Sequence, residues 1–173
     1  MRPWGSMPKL FLGGVMRKLV FVVALTALCG PFGAAFAQAA PDAAKPTFDA
    51  DLAKAVGADD YGMRHYVLVV LKTGPTPMPP GKERDEMFKG HFANINRLAA
   101  EGKLALAGPF DGVNGWRGLF IFAVPDIEEA KRLTATDPVI SSGEMVGEYH
   151  KYYGSAALMQ VNDAHKKVQK KSF

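Results

Sequence analysis

The segment Tyr66-Val67-Leu68-Val69-Val70-Leu71 is apolar without a break, and Leu119-Phe120-Ile121-Phe122 repeats the pattern further along. Short runs rich in leucine and β-branched residues read as strands. A strand covered by helices on one face only should alternate apolar and polar residues, and these do not. The sheet they form must be covered on both faces. Working outward, Glu83 to Glu101 carries Met87, Phe88, Phe92, Ile95, Leu98 and Ala99 at helical spacing, with Gly102 where a left-handed cap belongs. Leu104 to Ala107 is a second strand, stopped by Gly108-Pro109, and Gly118 to Val124 is a third. Asp126, with Glu129 three residues on, opens a second helix. Its buried side is Ile127, Ala130 and Leu133, and it stops before Asp137-Pro138. Met145 to Tyr153 is the fourth strand. The order βαββαβ predicts an α+β ferredoxin-like fold, a four-stranded antiparallel sheet with two helices on one face.

Two helices cover only one face of such a sheet. The other would expose more than the few hundred Å² of apolar surface that a monomer tolerates. A second copy packed sheet to sheet, as a two-fold homodimer, is the expected cover. The competing covers are two short segments, one around Phe48 and Leu52 and the other from Ala156 to Val161.

The 173 residues, 48% hydrophobic, suffice for one domain with a core. The net charge of +4 resides wholly in Arg2, Lys9, Arg17 and Lys18; beyond residue 37 the basic side chains are matched one for one by the 17 acidic ones. That balance argues against a nucleic-acid partner. Arg17-Lys18, the apolar run Leu19 to Leu28 and Ala35-Phe36-Ala37 have the form of a secretory signal peptide over residues 1–37, with Met16 the better start and cleavage expected after Ala37. The run falls short of the ~20 residues of a spanning helix. A periplasmic or secreted protein with no membrane contact after cleavage is expected. Cys29, the single cysteine, lies in the leader. Residues 38–64 read as a linker in which Thr47 to Ala55 can form a short helix with Phe48, Leu52 and Val56 on one side, either packed on the domain or loose. The domain covers residues 65–155 and a C-terminal tail covers 156–173, its basic end from His165 to Lys171 read as solvated and frayed.

His91 is the most informative position. Four residues after Met87 and four before Ile95, it belongs to the sheet-facing side of the first helix. A buried imidazole needs partners for its nitrogens, and is either a structural group or a proton-transfer group. Asp111, in the turn Gly108-Pro109-Phe110-Asp111-Gly112, is the candidate carboxylate to orient it, or else an ordinary turn aspartate. Asp137 either points into the same pocket or caps the turn at Pro138. Arg117, entering the third strand, either pairs with an acidic substrate or is an ordinary surface charge. His150, near Tyr152 and Tyr153, reads as packing. No nucleotide loop, metal-ligand spacing or serine triad is visible, so no cofactor is expected.

His91 to Ala107, Ala107-Gly108-Pro109-Phe110-Asp111, Arg117-Gly118, Glu128-Glu129-Ala130, Asp137-Pro138 and Gly143 together resemble the YCII-related (YciI-like) domain family, over about His65 to Leu158. The resemblance implies a dimeric α+β barrel with a histidine and an aspartate in a cleft between helix and sheet. The histidine falls on His91 and the aspartate on Asp111, with Asp137 as a second acidic position. Some members are associated with dehydrochlorination of a chlorinated hydroxyquinol. The wider barrel group includes muconolactone isomerases, small monooxygenases and haem-handling enzymes. This chain departs from the pattern in its leader and in the proline-rich stretch Pro75 to Pro80. The expectation is an exported small-molecule acid–base enzyme of lyase, isomerase or dehydrochlorinase type, with His91 and Asp111 catalytic and Arg117 and Asp137 binding substrate. The alternatives are a non-catalytic ligand-binding or accessory dimer and, third, a haem protein ligated through His91.

Overall fold

The computed structural model describes residues 47–171. The leader expected over residues 1–37 and the start of the expected linker lie outside the described residues. Strand β1 (Met63–Thr73) is followed by helix α2 (Lys82–Ala100), strands β2 (Leu104–Pro109) and β3 (Trp116–Phe122), helices α3 (Ile127–Thr134) and α4 (Pro138–Ser141) and strand β4 (Met145–Ser155); helix α1 (Ala50–Val56) precedes them and α5 (Val161–Val168) follows. The sheet order is β2-β3-β1-β4 with every neighbouring pair antiparallel. This is the α+β ferredoxin-like plait, with the two long apolar runs paired at its centre.

Register explains why those runs are apolar throughout. Val67 faces Phe122 and Val69 faces Phe120 across the β1–β3 ladder, and these side chains form the helix-side core with Met87, Leu98, Ala130, Leu133 and Val139. The alternate pair Leu68 and Ile121 faces the other way, into a second cluster with Tyr66 and Ala105. Full burial of a Val, Leu or Phe side chain is worth roughly 1.5–3 kcal/mol, so a strand buried on both faces gains at every position.

Local chemistry sets the helix ends. Gly102, at φ 69°, turns the chain out of α2 while its N–H donates to Ala99 O and the Lys103 N–H to Leu98 O, both at 3.0 Å. Asp126 caps α3 by accepting from the Glu129 N–H at 2.8 Å. The box is only half made, because the Glu129 carboxylate pairs with Arg132 instead.

Helix α1 buries Val56 alone and leaves Phe48 and Leu52 exposed, since Asp49 starts the helix after Phe48. The tail is helical as far as Val168 rather than frayed, with His165 to Lys171 exposed to solvent as expected. A 3₁₀ turn, Ala156–Gln160, lays Leu158 and Met159 on the second cluster, and Asn162 Nδ2 donates to Leu104 O at 2.7 Å on the edge strand. The C-terminal segment therefore covers part of the face away from the helices. On β4 Val146 and Tyr152 stay exposed, as does Trp116 on β3.

The ladder steps between Leu71, opposite Gly118, and Lys72, opposite Trp116. Arg117 is the extra residue of this bulge. Bulges re-aim side chains, and this one sends Arg117 to the helix side of the sheet, into the wall of a cavity.

Candidate functional site

His91 lies where the sequence put it, on the sheet-facing side of α2, with the rings of Phe88, Phe92 and Phe120 at 5.9, 5.4 and 6.0 Å. Its carboxylate partner is Asp137, not Asp111. Nδ1 is 2.9 Å from both Asp137 oxygens, and Asp137 is 0% exposed. Asp111 sits exposed in its turn, where Oδ1 accepts from the Val113 N–H at 3.0 Å. The turn holds its aspartate locally, two residues away, so it never reaches the helix.

The cap reading of Asp137 is realised, while its carboxylate is wholly buried behind the imidazole and does not line the cavity or reach a molecule bound there. Asp137 is the N-cap of α4, accepting from the Val139 N–H at 3.1 Å with Pro138 in the first helical position, and it binds the imidazole. A third donor is Asn94 Nδ2 at 3.3 Å. The Asn94 oxygen accepts from Arg97 at 2.7 Å and from the Thr136 hydroxyl at 3.1 Å, which fixes which way the amide points. Three nitrogens thus face this one carboxylate. With the Nδ1 hydrogen turned toward it, the neutral form of the imidazole keeps its lone pair on Nε2. Nε2 has no hydrogen-bond partner among the described residues.

Helices α2 and α4 must approach closely for this pair to form. Gly90 permits it: a Cβ there would lie 3.0 Å from the Pro138 ring. The residue before His91 thus lets the residue after Asp137 pack down.

The imidazole lines a cavity of about 370 Å³ whose other walls include Phe88, Phe92, Phe110, Phe120 and Arg117. At its rim a second carboxylate is buried. Glu144 is 1% exposed and accepts from the Met78 N–H at 2.5 Å, Arg84 at 3.0 Å and Arg117 at 3.4 Å. Burial acts to raise the Glu144 pKa, but the Met78 N–H and the two guanidiniums outweigh it and hold the group below the ordinary value of 4.5. The proline-rich connection is moored by the same region. Thr76 donates from its hydroxyl to Ser142 O at 2.8 Å, and the Gly74 N–H donates to Glu144 O at 2.8 Å.

His150 is exposed on β4, 2.8 Å from Glu148. Among the described residues no three His, Cys, Asp or Glu side chains are grouped to hold a metal ion, and no helix is long and apolar enough to cross a membrane. Sequence reasoning missed Asn94 and Glu144. Asn94 had a signal, since it lies three residues after His91 on the same helical face. Glu144 had none, because the loop and helix that bind it are distant in sequence.

A lowered folded-state pKa stabilises the protein above the unfolded value, and that stability is lost as pH falls through the folded value. Urea melts of wild type and Glu144→Gln should therefore differ most above about pH 5 and converge as pH falls below the ordinary glutamate value. A difference that is constant with pH would contradict the assignment.

Comparison with known proteins agrees with this architecture. The model of the YCII-related domain matches residues 63–152, more than half of the chain and nearly all of β1 to β4. The chain is also 30% identical over 81 residues to "Uncharacterized protein YjpA" of Bacillus subtilis (strain 168), an alignment covering 47% of this chain and 85% of that protein. The sheet, its helices and these matches together make the chain a member of the YCII-related domain family.

Proposed function

We propose that the protein performs acid–base chemistry on a small organic molecule in the cavity beside His91. The observation that supports this is the open Nε2 of an imidazole whose Nδ1–H is held by a buried carboxylate. In the proposed step Nε2 takes a proton from a C–H or O–H of the bound molecule, and the electron pair left behind shifts to expel a leaving group or to move a double bond. Asp137 keeps the proton of Nδ1 in place and stabilises the imidazolium that forms, as the carboxylate of a catalytic triad does. The proton on Nε2 is then returned to the product or to the leaving group. Asp137 thereby takes the role first assigned to Asp111, and Arg117 holds the anionic end of the molecule.

The proposal includes export, supported by the leader-like first 37 residues, and a two-fold dimer through the sheet face that carries Val146, Tyr152 and Trp116. Sedimentation of the protein at micromolar concentration is expected to give a dimer, and a monomer alone would contradict that part.

Proton transfer can be read without knowing the physiological substrate. A panel of small carboxylates and ketones with acidic C–H bonds, incubated in D₂O and followed by proton NMR, should include compounds that exchange faster with protein than without. Positioned acid–base groups contribute typically 10²–10⁴-fold, so His91→Ala should lose about that much of the exchange rate. Equal exchange by the wild type and by folded His91→Ala would count against the function.

A further inference from the structure

We infer that the cavity is built for a small monocarboxylate with an apolar ring, its carboxylate bound by Arg117 and its ring lying among the phenylalanines; the inference rests on the reading of this cavity as the functional site. The size bounds the ligand first. About 370 Å³ lies at the small end of ligand sites, which run from roughly 300 to 1,000 Å³. Phe88, Phe92, Phe110 and Phe120 contribute four aromatic rings to the wall, and Leu71, Ile95 and Met145 add aliphatic surface. Such a surface stacks a ring favourably and desolvates any polar group pressed against it.

The charges then set the polarity of the ligand. Arg84 and Arg117 share the single carboxylate of Glu144, which leaves one positive charge uncompensated in the cluster. Arg84 is engaged twice, by Glu144 at 3.0 Å and by the face of Phe88, 4.6 Å from the ring centre. Arg117 is engaged once, at 3.4 Å, the longest contact of the three that Glu144 accepts. Its remaining N–H donors have no acceptor among the described residues, and the bulge in β3 places the side chain in the cavity wall. A guanidinium with free donors binds a carboxylate through two parallel hydrogen bonds. One spare positive charge matches one carboxylate. A second carboxylate on the ligand would have to lie among phenylalanine rings or near the buried charge of Asp137, and both positions are unfavourable.

The test uses calorimetry on the full chain with three probes. Benzoate has the ring and the single charge, benzamide has nearly the same shape without charge, and phthalate carries a second carboxylate. Benzoate is expected to bind about tenfold or more tightly than either of the others. Arg117→Gln, with unchanged circular dichroism, should lose about that factor for benzoate and leave benzamide unaffected. Equal binding of benzoate and benzamide, benzoate binding that ignores Arg117→Gln, or no benzoate binding at millimolar concentration would each overturn the inference. The His91→Gln variant separates this from the proton-transfer reading. It should keep benzoate affinity even though it cannot accept a proton, whereas His91-dependent exchange without benzoate binding would sink the anion site alone.

Discussion

A carboxylate with no exposure to water must be matched by donors, and the matching of Asp137 organises this site. An ion stripped of water costs several kcal/mol unless hydrogen bonds replace its hydration. Asp137 receives three: one from the first turn of its own helix, one from Asn94 and one from His91. Hydrogen bonds to charged groups contribute about 1.5–3 kcal/mol each, so the set offsets the burial only when all are made. The imidazole is therefore not free to turn. Its Nδ1 is committed to the interior, and its Nε2 is directed by elimination toward the cavity. An arrangement that solves a folding problem for one residue leaves a base on the next.

The same constraint recurs at the cavity rim. Glu144 is buried against two arginines and a backbone N–H, and those contacts draw the proline-rich connection and the start of α2 onto the loop before β4. Two buried carboxylates thus tie α2 to the segments on either side of α4. Aromatic rings fill the space between the ties. The resulting cavity has the His91 imidazole and the Arg117 guanidinium in its wall, with four phenylalanine rings beside them.

Much of the fold was legible because the signals are short in range. The unbroken runs at Tyr66–Leu71 and Leu119–Phe122, the helical spacing through α2 and the Asp126 cap each depend on a few neighbouring residues. His91 was legible for the same reason, since its place on the apolar side of a helix follows from spacing alone. Its partner was not. Asp111 and Asp137 both sit in turns beside glycine or proline, and what separates them is distance in three dimensions. Asp137 reaches His91 only because Gly90 lets Pro138 pack against α2, a fit between segments far apart in sequence. Helix α4, at four residues, is too short to show a period, and the Asp-Pro pair that starts it reads equally well as the end of α3. The C-terminal turn was legible in part: Ala156 to Val161 stood among the candidate covers of the sheet, where Leu158 and Met159 do pack, but the segment's shortness weighed against it.

The pairing of His91 with Asp137 can be read from the tautomer of the imidazole. Two-dimensional ¹⁵N–¹H correlation of the imidazole at about pH 8, where an ordinary histidine is neutral, distinguishes a ring protonated at Nδ1 from one protonated at Nε2. Assignment would come from His91→Gln. Pairing with Asp137 should put the hydrogen on Nδ1 and leave Nε2 unprotonated, with the pattern shifting toward the mixed state of a free imidazole in Asp137→Asn. A ring protonated at Nε2, or one whose tautomer is indifferent to Asp137→Asn, would contradict it.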